Sequence, residues 1–197
     1  MGIMRSLCRD HSVIRGLVLA GGKSSRFGED KAMAKYRGVT FLERAVNLLK
    51  SLNLKPIIVT RPGAEHSFAK CTLIYDKLPG QGPLGGIYTA MTVFKNTSFL
   101  VLTCDMPALN EAVLRELLNR HETSQKLTFY SMTDGFEQPF PAIYDPPLLD
   151  VLREKLTHGD LSMKSLFKEV PSRRSISWQG DPAVFCNINS KEDLILT

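Results

Sequence analysis

With 43% hydrophobic and 23% charged side chains, a chain of 197 residues can bury one sizeable α/β core, is too short for two ordinary domains, and lies far from disordered compositions. Its net charge of +5 is spread without a long Lys/Arg block or an interleaved aromatic run, which argues against a nucleic-acid surface and suits small phosphorylated ligands. No stretch has the length of a membrane span or the apolar core of a signal peptide. Cys8, Cys71, Cys104 and Cys186 are scattered without zinc or disulfide spacing, so a cytoplasmic protein with reduced thiols and no membrane partner is expected.

Residues 1–13 read as a flexible N-terminal extension and 14–197 as one domain. Residues 13–20, apolar apart from Arg15 and Gly16, predict a buried strand that stops at Gly21 and Gly22. Thr40 and Glu43 stand at capping-box spacing before an apolar face made by Phe41, Leu42, Ala45, Val46, Leu48, Leu49 and Leu52, which predicts a helix over 41–52. Strands follow at 56–60 and 72–75, the first closed by Arg61-Pro62-Gly63 and the second by Asp76. A glycine-rich loop at 79–86 leads into a helix over 87–94, an uninterrupted apolar strand over 98–103 and an amphipathic helix over 111–120.

Strands at 127–132 and 141–144 flank an Asp134-Gly135 turn, helices are expected at 146–156 and 162–168, and a last short helix at 190–194 has Ser190 and Asp193 at cap spacing. Strands alternating with helices through residue 120 predict a three-layer, Rossmann-like α/β fold with a mostly parallel central sheet. The less regular second half adds a smaller antiparallel part. In such sheets ligands bind beyond the carboxyl ends of the strands. Three polar motifs directly follow predicted strands: residues 19–31, 76–86 and 103–107.

The first motif, Leu19-Ala20-Gly21-Gly22-Lys23-Ser24-Ser25-Arg26-Phe27-Gly28-Glu29-Asp30-Lys31, places a glycine turn and three cations after a strand. Glycines let backbone amides converge on an anion while Lys23, Arg26 and Lys31 bring mobile positive charge, an arrangement suited to a polyphosphate. It matches neither Gly-x-Gly-x-x-Gly nor a Walker loop. Asp105, in Thr103-Cys104-Asp105-Met106-Pro107, follows an apolar strand where a carboxylate is costly unless paired or bound to a cation, and Mg²⁺ is the natural one beside phosphates. Asp76 can accept hydrogen bonds from a base edge or ribose. His11, His66, His121 and His158 show no ligand spacing and read as surface or loop histidines.

The pattern Leu-Ala-Gly-Gly, Arg26-x-Gly28 and Asp30-Lys31, with Cys104-Asp105-x-Pro107, resembles the nucleotidyltransferase superfamily, and within it the molybdenum cofactor guanylyltransferases, over about residues 15 to 195. The resemblance implies transfer of GMP from Mg-GTP to the phosphate of molybdopterin or molybdenum cofactor, with release of pyrophosphate. In that reading Lys31 stabilises the transition state, Arg26 meets the β- and γ-phosphates, and Asp105 binds Mg²⁺. Leu19, Ala20, Gly21, Gly22, Thr60, Asp76, Gly82, Pro83, Leu84 and Gly85 line the nucleotide. Gln138 to Tyr144 and the pair Asn187 and Asn189 resemble the acceptor segments, and turn chemistry is the competing reading of the two asparagines. Transient cofactor-handover proteins are implied by resemblance alone. Glu29 leaves the glycine-to-lysine loop one residue shorter than in some members, and Lys164 alone represents the basic residues often found near 158–164. The alternatives are a cytidylyltransferase for the same cofactor, a sugar- or alcohol-phosphate nucleotidyltransferase, and a catalytically silent nucleotide sensor.

Overall fold

The computed structural model describes residues 14–21, 30–64, 71–190 and 193, and in them a seven-stranded sheet flanked by helices on both faces. In chain order the elements are β1 (Ile14–Leu19), a 3-10 turn (Lys31–Met33), β2 (Lys35–Tyr36), β3 (Val39–Thr40), α1 (Phe41–Ser51), β4 (Pro56–Thr60), β5 (Thr72–Tyr75) and α2 (Gly82–Val93). There follow β6 (Ser98–Thr103), α3 (Glu111–Arg120), β7 (Leu127–Ser131), β8 (Glu137–Tyr144), α4 (Leu148–Thr157), α5 (Met163–Glu169), β9 (Arg173–Ser177) and a 3-10 turn (Pro182–Phe185). The strand order is β5-β4-β1-β6-β8-β7-β9. Both neighbours of β8 pair with it antiparallel and every other pairing in this sheet is parallel, so six of its strands share one direction and β8 opposes them, while β2 and β3 form a separate antiparallel pair. The mixed α/β fold read from the sequence is therefore the fold observed.

Two glycines show how the helices divide between the faces. A Cβ on Gly16 would stand 2.6 Å from Leu49 Cδ1 of α1, and one on Gly86 of α2 would stand 2.9 Å from Leu19 Cδ2. Gly16 and Leu19 are an odd number of residues apart on β1 and point to opposite faces, which puts α1 and α2 on opposite sides. The same alternation separates α3 from α5: Tyr130 donates through its hydroxyl to Val113 O at 2.7 Å, while Phe129 packs on Phe167 with ring centroids 4.7 Å apart. Leu17, Ile57, Phe99, Leu100 and Val101 lie between the layers at 0% exposure. Each such side chain contributes about 1.5–3 kcal/mol by leaving water.

Short-range rules account for the element ends. Thr40 accepts from Glu43 N through Oγ1 at 3.1 Å, and Glu43 accepts from Thr40 N at 3.0 Å, completing the capping box expected for α1. The strands over 56–60, 72–75 and 98–103 and the helix over 111–120 are observed with the expected bounds. One expectation needs correction: Gly82 to Gly86 is the first turn of α2 rather than a loop, five residues ahead of the predicted start. Pro83 at the head of the helix has a fixed φ suited to that position and no N–H to leave unbonded. The hairpin of β2 and β3, turning at Arg37 (φ 51°) and Gly38 (φ 83°), and strand β9 were not foreseen, because two-residue strands and the charged run Arg173-Arg174 carry little periodic signal. The final helix expected over 190–194 falls largely outside the described residues.

His121 also departs from its reading as a surface histidine. It is 6% exposed, with Nδ1 3.0 Å from Thr128 Oγ1 and Nε2 3.6 Å from Asp145 Oδ1. Ser98 hydrogen-bonds Asp145 in the same cluster, which sits at the sheet edge where β6 and β7 begin. Burial pushes the Asp145 carboxyl up to about 6, against a donated Ser98 hydrogen bond that acts the other way. A second polar knot fastens α4 to α5: the Lys155 ammonium, 3% exposed, donates to Asp160 (2.7 Å), Ser165 (2.8 Å) and Glu169 (2.9 Å). His158 is exposed as expected.

An acid whose folded pKa is raised holds its proton longer in the native state than in the unfolded chain, so its contribution to stability declines as pH rises from about 4, its unfolded value, to about 6. Asp145→Asn is expected to remove that decline. Urea unfolding at pH 4, 5, 6 and 7 should show the variant gaining relative to the parent protein across this interval and holding a constant difference above it.

Candidate active site

β1, β4, β5 and β6 run in the same direction, so the segments that leave their carboxyl ends emerge along one edge of the sheet. Pairing of β1 with β6 from Ile14↔Ser98 to Leu19↔Thr103 brings the ends of these two central strands level. Residues 30–31 return to that edge through the 3-10 turn, which Asp30 caps by accepting from Ala32 N at 3.1 Å. The outcome is a direct pair between distant segments: Lys31 Nζ donates to Asp105 Oδ2 at 2.7 Å, with the two side chains 16% and 19% exposed. Lys31 also donates to Asn189 Oδ1 at 3.1 Å.

The carboxyl-terminal segment is held against this pair by backbone and packing contacts. Ile188 N donates to Asp105 O at 2.9 Å, and the Ile188 side chain forms a small core with Ala34 and Phe41, against which Tyr36 and Cys104 pack. Asp193 accepts from Asn189 N (2.7 Å) and Ser190 N (2.9 Å), which holds its carboxyl below the usual range and rigidifies the turn that presents Asn189. Asn187 is exposed. Cys104 packs as a neighbour, as expected, and burial chiefly, with the Asp105 charge adding, pushes its thiol up to about 12, so it stays protonated and unreactive.

The atoms left without partners point to the ligand chemistry. Asp105 Oδ1 and Thr103 Oγ1 are buried and have no hydrogen-bond partner among the described residues. A buried carboxylate oxygen with no donor is costly by itself, and a cation brought in with phosphates satisfies it. Among the described residues no group of three or more His, Cys, Asp or Glu is placed to hold a metal. The donor set thus fits Mg²⁺, which is bound through one or two carboxylates plus substrate phosphates rather than by a protein cage.

On the neighbouring side, Asp76 is built into the loop after β5. Its Oδ1 accepts from Leu78 N and Thr89 Oγ1, both at 3.0 Å, and its backbone N donates to Thr60 O at 2.8 Å. The loop then turns through Gly80 (φ 92°) and Gly82 (φ 60°), a backbone region that disfavours side chains. At Gly85 a Cβ would lie 2.9 Å from Leu78 O and 3.5 Å from Asp76 Oδ2, so helix and loop touch backbone to backbone. Among the described residues no side chain caps α2, which leaves first-turn amides and the positive end of its dipole at the ligand edge.

The sequence-selected residues do not all face the site in the same way. Leu84 and Thr60 are fully buried; the Thr60 hydroxyl points to Ala20 O at 3.5 Å, and Leu84 packs in the core, so both shape the site from beneath. Ala20 is 6% exposed and bonds through N to Val59 O, whereas Gly21, Gly82 and Pro83 are exposed. Gly22 and Arg26 lie outside the described residues. Two contacts were not read from the sequence: Arg61 reaches Asp30 at 3.6 Å, and Arg44 Nη2 donates to Pro107 O at 2.8 Å. Neither residue belongs to a motif, and only the folded chain brings them to the site.

The Gly85 contact gives a direct test. Gly85→Ala should cost about 1–3 kcal/mol in urea unfolding, because the new methyl meets backbone rather than a movable side chain.

Comparison with known proteins agrees with this geometry. A model of the MobA-like NTP transferase domain matches residues 16–175. A protein from Geobacillus sp. (strain WCH70) named probable molybdenum cofactor guanylyltransferase is 34% identical over 194 residues, covering 90% of this chain and 94% of that protein. One of the same name from Bacillus subtilis (strain 168) is 32% identical over 184 residues, covering 90% of each. Among solved structures, molybdopterin-guanine dinucleotide biosynthesis protein A from Archaeoglobus fulgidus is similar with a TM-score of 0.76 at 20% identity, over 92% of this chain and 95% of that one, a likeness of fold. The domain match spans β1 to β9 almost completely and includes the Lys31 and Asp105 segments, so the chain belongs to the MobA-like NTP transferase family and is a nucleotidyltransferase.

Proposed function

We propose that this nucleotidyltransferase moves GMP from GTP to the phosphate of molybdopterin or molybdenum cofactor, forming the guanine dinucleotide and releasing pyrophosphate. The observation that carries the reading is the Lys31 ammonium held between Asp105 and Asn189 at the edge where the strand-end segments meet. The names of the relatives supply the base and the acceptor.

An acceptor phosphate oxygen attacks the α-phosphorus of GTP, a bond forms there, and the bond to the bridging oxygen of pyrophosphate breaks. A phosphate oxyanion is already a nucleophile and needs no residue to remove a proton from it. The protein's work is therefore to align the two substrates and to neutralise charge building on the phosphates. Lys31 supplies a cation at the α-phosphate, and Arg26 meets the β- and γ-phosphates. Asp76, with Oδ1 engaged by Leu78 and Thr89, offers Oδ2 to the base or ribose, and the exposed backbone at Gly21, Gly82 and Pro83 borders the nucleotide. Asn189, already on Lys31, presents its amide toward the acceptor together with Asn187. Asp105 would hold Mg²⁺ through Oδ1, and when bound Mg²⁺ would neutralise and align the triphosphate oxygens.

Calorimetric titration with GTP, CTP and ATP, with and without Mg²⁺, should show Mg-assisted preference for GTP that weakens in Asp105→Ala. Pyrophosphate release with molybdopterin as acceptor should fall about 100-fold or more in Lys31→Ala, the scale for losing one preorganised charge contact. Preference for CTP would replace the guanylyl reading with a cytidylyl one. Nucleotide binding without pyrophosphate release from any acceptor would identify a silent sensor.

A further inference from the structure

The turn that carries Asp105 borders a gap on its α1 side. Between α1 and the segment 103–109 lies a cavity of about 300 Å³ lined by Arg44, Leu48, Thr103, Cys104, Met106 and Pro107 among others. Met106 and Leu109 anchor the segment in the core, and the Pro107 carbonyl is tied separately across this gap. Arg44 spans the gap. From α1 its Nη2 donates to Pro107 O at 2.8 Å, while its guanidinium carbon lies 5.1 Å from the centre of the Tyr36 ring. Tyr36 belongs to the β2–β3 hairpin, five residues after Lys31, and packs against the Ala34, Phe41 and Ile188 core. One side chain thus touches both the turn that carries Asp105 and the hairpin that continues from Lys31.

The chemistry at this position is not what stability alone would select. Arg44 Nε is buried without a hydrogen-bond partner among the described residues, a desolvation cost that an apolar side chain would avoid. A methionine has nearly the reach to fill the same space and carries no buried donor. What only the guanidinium provides is a directed donor for the Pro107 carbonyl together with a flat cationic face for the tyrosine ring.

We propose that Arg44 is a positioning residue: by holding the Pro107 carbonyl while lying against Tyr36, it fixes the Asp105 turn relative to Lys31 and so sets the geometry of the pair that engages the phosphates. The catalytic consequence rests on the function proposed above. The positioning itself does not, because it is visible in the backbone of residues 103–109 whether or not the chain turns over any substrate. Loss of Arg44 leaves the nucleotide pocket at Asp76 and α2 untouched, since no contact from Arg44 reaches that side among those described.

The test uses Arg44→Met, Arg44→Ala and the parent protein. Amide hydrogen exchange over 103–109 should quicken at least several-fold in both variants, with the rest of β6 and α3 exchanging as before and the melting temperature of Arg44→Met unchanged or raised. In turnover, kcat should fall about 10- to 100-fold, the cost of displacing a reacting group by up to about 1 Å, while KM for GTP changes little. Guanidinium at millimolar concentration should partly restore kcat to Arg44→Ala, because the truncation enlarges an existing cavity that an ion of that shape can enter, and should leave Arg44→Met unrescued. Unchanged exchange over 103–109 in both variants would overturn the proposal, as would activity lost only in proportion to lost folded protein with no rescue. A parent protein that transfers no nucleotide would refute the proposed function, and the exchange measurement would still decide the role of Arg44.

Discussion

The ion pair between Lys31 and Asp105 depends on one topological fact, that β1 and β6 are neighbouring parallel strands whose ends are level. Their loops leave the sheet at the same edge, and residues 74 positions apart meet at 2.7 Å. The pair is partly open to solvent, so its contribution to stability is on the order of 1 kcal/mol or less. Its value is alignment. A lysine held by a carboxylate and an amide is ordered before any phosphate arrives, and the entropy of ordering it need not be lost at the moment of reaction.

Buried polar groups gather at two edges of the sheet. Where β6 and β7 begin, Ser98, Asp145, His121 and Thr128 form a buried cluster in which Ser98 bonds Asp145, Thr128 bonds His121, Asp145 Oδ2 has no hydrogen-bond partner among the described residues, and burial keeps the carboxyl protonated above its ordinary range. Where β1 and β6 end, Asp105 Oδ1 and Thr103 Oγ1 lack partners among the described residues, and no described side chain caps the amides of α2. A folded chain tolerates such open groups where a ligand completes them and the rest of the core supplies the stability. The hydrophobic layers between sheet and helices, with Leu17, Val18, Ile57 and Phe99 to Leu102 at 0% exposure, are that reserve.

The carboxyl-terminal segment makes the site a property of the whole chain. Ile188 fills a small core with Ala34 and Phe41, its amide bonds Asp105 O, and Asn189 shares the Lys31 ammonium. The segments expected to meet nucleotide and those expected to meet acceptor are thereby mechanically joined.

Local chemistry carried much of this in the sequence. The Thr40/Glu43 box, the apolar runs of β4 and β6, the helical face of α3 and the placement of Lys31, Asp76 and Asp105 after strands are readable because caps, periodicity and strand ends depend on residues within a turn or two of one another. The start of α2 was misread because its glycines suit a turn as well as a helix head, and tertiary packing against Leu19 and Val59 decides between them. His121, Arg44 and the pairing of Lys31 with Asn189 across 158 residues lay beyond the sequence altogether. Burial of a histidine, the reach of an arginine to a carbonyl 63 residues away and the meeting of the two chain segments are set by strand order and helix placement. Local propensity determines which segments become strands and helices, while long-range packing alone determines which of their ends meet.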